Sequence, residues 1–65
     1  MKINDRVILL KDIKDSYSEV LGGNIGIIIY KGKFRRNYKT KNIYHIQFNN
    51  GIIKEVFKNS IKKAR

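Results

Sequence analysis

Tyr44-His45-Ile46-Gln47-Phe48 alternates strictly between apolar and polar side chains, and Asn49-Asn50-Gly51 follows it directly. A period of two puts Tyr44, Ile46 and Phe48 on one face of an extended chain and His45 and Gln47 on the other, which is the pattern of a half-buried strand. Asn-Gly tolerates the positive φ that tight hairpin turns require, and Ile52-Ile53-Lys54-Glu55-Val56-Phe57 supplies the returning strand. The rest of the chain must be arranged around this hairpin. Two further runs, Arg6-Val7-Ile8-Leu9-Leu10 and Ile25-Gly26-Ile27-Ile28-Ile29-Tyr30, are rich in branched apolar residues and also predict strands.

With 65 residues the chain makes one domain, and a domain of that size buries only about 60% of the surface its unfolded form exposes. It has no cysteine, which excludes disulfides and zinc-thiolate sites and fits a reducing compartment. Apolar packing alone must hold the fold, with about 3–5 kcal/mol to be expected from so small a core. The longest apolar runs, Val7 to Leu10 and Ile27 to Tyr30, fall far short of the roughly 20 residues that span a bilayer. Charges within Met1 to Arg6 occupy the place where a secretory apolar region would begin. The expectation is a cytoplasmic protein without a membrane partner.

Two connections are long. Lys11 to Gly23 carries a possible capping box from Ser16 to Glu19, but reads better as a folded loop whose Tyr17, Val20 and Leu21 cover one end of the core. Lys31 to Lys41 reads as a polar loop interrupted by Phe34 and Tyr38, with Gly32 giving it a bend. The C-terminal segment has two readings. Phe57, Ile61 and Ala64 fit one face of a helix, while Asn59-Ser60 fits a turn before a last strand at Ile61 to Ala64, the reading preferred here.

Asn4-Asp5-Arg6-Val7 resembles the opening Gly-Asp-x-Val step of SH3-like barrels, with Asn4 in the place of the glycine. Gly23-Asn24-Ile25-Gly26-Ile27-Ile28 resembles the Gly-x-x-Gly-x-Val segment of KOW-type and nitrile-hydratase-β-like barrels. Tyr44 to Gly51 is similar to their Tyr-x-Val-x-Phe-x-x-Gly hairpin. The resemblance covers nearly the whole chain. It implies an all-β fold: a five-stranded SH3-like barrel with a long first loop and a basic loop after the second strand. Tyr30 and Tyr44 would be core or barrel-edge residues. Barrels of this type include nucleic-acid binders, transcription-elongation and ribosomal modules, and peptide readers, so the resemblance implies fold more than function.

Charge distinguishes the segments. The formal net charge is +10, an excess that favours association with polyanions. An A- and T-rich coding bias would enrich Lys, Ile and Asn without selection for binding, but would not concentrate charge. From Met1 to Gly23, Lys2, Arg6, Lys11 and Lys14 balance Asp5, Asp12, Asp15 and Glu19. From Lys31 to Lys41, by contrast, Lys31, Lys33, Arg35, Arg36, Lys39 and Lys41 meet no acid, and the tail from Lys54 to Arg65 adds Lys54, Lys58, Lys62, Lys63 and Arg65 against Glu55 alone. Phosphates call for cations spaced along an element and unstacked bases for flat apolar faces; the Lys31 to Lys41 segment with Phe34 and Tyr38 offers both. The bland alternative is a solvated loop whose two aromatic rings fold back on the domain.

Catalysis is not expected. Asp12, Asp15 and Glu19 have no nucleophile beside them, and a single histidine without cysteine makes a transition-metal site improbable. His45 reads as a solvent-facing strand residue. Gly23 to Gly26 matches the bare GxxG pattern of KH domains, but it opens a strand rather than joining helices, so a turn and a bulge are the expected roles. No cofactor is implied. The leading expectation is a small basic nucleic-acid-binding module, for DNA or RNA, held mainly through phosphates with weak sequence specificity. Its expected contacts are Lys31, Lys33, Phe34, Arg35, Arg36, Tyr38, Lys39, Lys41, Lys62, Lys63 and Arg65. The alternative is a protein-interaction module, or a phage- or plasmid-encoded inhibitor, that docks on an acidic protein surface.

Overall fold

The computed structural model describes residues 1–64. Branched and aromatic residues place them in seven strands: β1 (Arg6–Leu9), β2 (Ile13–Lys14), β3 (Glu19–Val20), β4 (Ile25–Arg36), β5 (Lys39–Phe48), β6 (Ile53–Phe57) and β7 (Ile61–Lys63). A 3-10 turn over Lys58–Ser60 separates the last two, so the C-terminal segment takes the turn-and-strand form. The main sheet runs β6-β5-β4-β1-β7, antiparallel throughout, while β2 and β3 pair with each other in a second sheet.

This topology corrects the expected SH3-like barrel. A barrel must close its sheet into a ring of hydrogen bonds. Here β6 and β7 end the sheet at opposite edges, and no ladder joins them among the described residues. The two edges are linked only by the short 3-10 turn, and β7 spends its three residues pairing with β1, as Val7↔Lys63, Ile8↔Lys62 and Leu9↔Ile61. The chain is all-β, with one open five-stranded sheet and one two-stranded sheet. The open sheet overturns the expected KOW-type and nitrile-hydratase-β-like barrel.

Both long loops are corrected as well. The first contains the β2–β3 hairpin, with Ile13 opposite Val20 and Lys14 opposite Glu19. Asp15, rather than Ser16, organises its turn: Asp15 Oδ1 accepts hydrogen bonds from the Tyr17 and Ser18 amides at 2.8 and 2.9 Å. Val20 enters the core as expected, whereas Tyr17 and Leu21 remain exposed. The basic loop is not a loop at all. β4 and β5 continue through it as a two-stranded ribbon that turns at Asn37-Tyr38.

The core lies on one face of the main sheet. Val7, Leu9, Ile28 and Ile46 are fully buried there with Val20, joined by Tyr44, Phe48, Val56 and Ile61. Val20 and the half-buried Ile13 bring the small sheet over this face. Lys54 also points inward, because the register places it opposite Ile46. Its ammonium donates to Asp15 Oδ2 at 2.5 Å and to the Ser18 carbonyl at 3.2 Å. A buried charge is tolerated only when paired, and this pair ties the tip of the small sheet to the edge strand β6.

Among the described residues, positive φ occurs at four turns: Asn4, Gly23, Asn37-Tyr38 and Gly51. Asn4 adopts φ 75° in the opening turn, a conformation that asparagine accepts more readily than most residues. At the second hairpin only Gly51 does so, at φ 83°, and its amide donates to the Phe48 carbonyl at 2.9 Å. This corresponds to a three-residue loop rather than a two-residue Asn-Gly turn.

Candidate nucleic-acid interface

The ribbon is built by register. Lys31↔Tyr44, Lys33↔Asn42 and Arg35↔Thr40 continue the core-side face, while Tyr30↔His45, Gly32↔Ile43, Phe34↔Lys41 and Arg36↔Lys39 share the outer face. A bulge between Ile28 and Tyr30 sets this division. Without the extra residue, Tyr30 would follow Ile28 into the core; with it, the strand's parity reverses and Tyr30 turns outward. Tyr30 is 50% exposed and lies 4.8 Å from the His45 ring, whereas Tyr44 is buried as expected. The bulge is therefore at Ile29 and not at Gly26. Gly32 sits within the strand beneath the Tyr30 ring rather than at a bend.

The six cations thus fall into two sets of three. Lys31, Lys33 and Arg35 occupy the core-side face beyond the end of the core, and Arg36, Lys39 and Lys41 occupy the outer face. From Lys31 to Arg36 the ribbon extends about 17 Å at strand spacing. Among the described residues, no carboxylate forms an ion pair with any of these six: the ion pairs are His45–Glu55, Lys54–Asp15 and Lys63–Asp5. The ribbon's field is therefore uncompensated.

Phe34 belongs to a feature that the sequence reading missed. It meets Phe57 of β6 edge to face, with ring centroids 6.3 Å apart. Lys41 Nζ lies 5.2 Å from the centre of the Phe57 ring, within cation–π range. A groove of about 350 Å³ runs here, lined by Phe34, Arg36, Asn37, Lys39, Lys41 and Phe57. The sequence places Phe57 in the returning strand or on one face of a C-terminal helix and gives it no site role, yet it is 40% exposed beside Phe34. Register explains it: the three-residue loop pairs the inward-facing Tyr44 with Val56 and so turns Ile53, Glu55 and Phe57 outward, whereas a two-residue Asn-Gly turn would have paired Tyr44 with Phe57.

The other expected contacts lie elsewhere. Tyr38 is at the turn, 95% exposed and clear of the aromatic pair. Lys62 and Lys63 are on β7, at the sheet edge farthest from β6. Lys62 aligns across β1 with Ile25, the first residue of β4, so about 30 Å of strand separates it from the ribbon tip. Arg65 lies outside the described residues.

Compared with known family models, curated proteins and solved structures, the chain finds no match.

Two carboxylates are shifted, both away from the ribbon. The Lys54 ammonium, with help from the Tyr17 and Ser18 amides, lowers the Asp15 carboxyl from 3.8 to about 2. The Lys2 amide, followed by the charges of Lys63 and the N-terminus, lowers Asp5. His45 Nε2 lies 3.0 Å from Glu55 Oε2 on the outer face. Among the described residues no three His, Cys, Asp or Glu side chains gather to hold a metal ion. No helix among them is long and apolar enough to cross a membrane.

Proposed function

We propose that the protein is a nucleic-acid-binding module, not an enzyme, and that the β4–β5 ribbon grips the phosphate backbone with little regard to sequence. The observation that supports this best is the ribbon itself. Six cations are presented on both faces of a projecting two-stranded element, without a carboxylate to neutralise them. An ordered ribbon suits a phosphate backbone better than a solvated loop does, because alternation spaces like charges about 6–7 Å apart along each face. A two-stranded ribbon is also an element that the major groove of a duplex admits. A cytoplasmic location accompanies this reading, in keeping with a chain that uses no cysteine.

The salt dependence of binding tests it. With about four to six phosphates neutralised, log affinity should fall against log salt with a slope near −4 to −5 on duplex and −3 to −4 on single strands. Replacing Arg35 and Arg36 by alanine removes one cation from each face and should flatten either slope by about one to two units, equally on unrelated sequences. An unchanged slope would remove the ribbon from the interface. Retention of a protein partner after nuclease treatment would then favour an acidic protein surface as the true ligand.

A further inference from the structure

The ribbon's two faces carry equal charge but unlike chemistry. On the core-side face the cations stand opposite Asn42, Thr40 and the buried Tyr44, so no exposed ring accompanies them. On the outer face, Arg36, Lys39 and Lys41 line the groove with the Phe34–Phe57 pair, and both phenylalanines are about two-fifths exposed as residues, at 42% and 40%. Phe57 pairs with Ile43 across β5, so two strands of the sheet and the projecting ribbon all contribute to one concave surface. The two rings meet edge to face, 63° apart, and both line the groove. A second hollow adjoins it, shares Lys41 and Phe57, and adds Asn42, Lys58 and Asn59. The nearest carboxylate on this face, Glu55, is held by His45. Among the described residues, no acid lines either hollow.

Three properties narrow the ligand. Exposed ring faces attract flat π systems, and every nucleobase has one. The cationic rim attracts phosphate, and Lys41, already drawn over the Phe57 ring, holds its ammonium at the junction of the two. The volume, about 350 Å³, lies at the small end of the roughly 300–1,000 Å³ range of ligand sites, which suits one nucleotide rather than a run of stacked bases. Bases within a duplex have both faces covered by their neighbours and cannot use such a site without being extruded.

We propose that the Phe34–Phe57 groove is a base-binding subsite. It receives one unstacked base of a single strand while Arg36, Lys39 and Lys41 hold the flanking phosphates, and it gives the protein a preference for single-stranded over duplex nucleic acid. This rests on the reading of the ribbon as a phosphate grip.

The test uses the full chain with Phe34→Leu and Phe57→Leu, each titrated with a short oligothymidylate and with a duplex of equal length. Leucine keeps the apolar bulk and removes the aromatic face. Each variant is expected to lose about ten- to a hundred-fold in affinity for the single strand, with the salt slope and the duplex affinity unchanged. If both affinities fall equally, or neither falls, the subsite is overturned while the phosphate grip stands. If the Arg35 and Arg36 double variant leaves the slopes unchanged, the grip itself fails, whatever the phenylalanine variants do. Phe34 lies on the ribbon outside the buried core, so Phe34→Leu decides the question alone should Phe57→Leu fail to fold.

Discussion

Gly26 lies where β4 crosses the core, paired with Phe48 of β5. A Cβ built on it would collide with Ile46 Cγ2, come within 2.9 Å of the Gln47 carbonyl oxygen and lie 3.1 Å from Phe48 Cδ1. The carbonyl belongs to the adjacent strand and cannot retreat without opening the ladder, and Ile46 is fully buried. Inserting one methyl into such packing costs about 1–3 kcal/mol. The gain from a stiffer unfolded chain offsets only about 0.4–1 kcal/mol of that. Gly26→Ala should therefore destabilise by about 1–2 kcal/mol, lowering the melting temperature by about 5–15 °C in a domain of this size. Gly32→Ala is the comparison. The atoms nearest its added methyl all belong to the Tyr30 side chain, which is half exposed and free to swing outward, so the change should be small. Thermal unfolding followed by circular dichroism measures both. Equal melting temperatures for the two variants, or an unchanged one for Gly26→Ala, would refute the packing of β4 against β5 described above.

Asp15 has its carboxyl lowered to about 2 against an ordinary 3.8, so its contribution to stability is complete above about pH 4 and is lost as pH falls through about 2. Asp5 is lowered as well and acts with the same sign. Melting temperature should thus drop between about pH 4 and 2, and Asp15→Asn should flatten that drop; a variant as acid-sensitive as the parent would count against the Lys54 pairing. At the ribbon turn Asn37 and Tyr38 adopt φ 51° and 66°, the backbone of a type I′ turn that glycine suits at its second position. Tyr38→Gly should relieve up to about 1 kcal/mol and slow amide exchange from Lys33 to Lys41; faster exchange there would contradict it.

Much of the sheet was legible because alternation and turn chemistry agree. Tyr44, Ile46 and Phe48 face inward as their period requires, and the Asn4 and Gly51 turns fall where their residues permit positive φ. The ribbon was hidden for two reasons. Its strands lie beyond the core, where both faces are solvated and no apolar period marks them, and its turn, Asn37-Tyr38, lacks glycine. The single extra residue at Ile29 then reversed the parity of all that follows in β4, moving Tyr30 out of the core. In β6 local pattern misleads altogether, because Ile53 and Phe57 face solvent while Lys54 is buried. Only pairing across the hairpin, and Asp15 from a distant turn, explain that inversion. Barrel closure was inferred from resemblance, and no local feature of the sequence specifies it. The charge concentration was plain in the sequence, but its division into two faces, and the recruitment of Phe57, depend on register.

The most direct test of the proposed interface is to follow backbone amide resonances while a short single-stranded oligonucleotide is added. Binding through the ribbon should shift Lys31 to Lys41 together with Phe57 and Lys58, leaving Lys62 and Lys63 on the far edge nearly unmoved. Shifts centred on β7 and β1, with the ribbon silent, would contradict it.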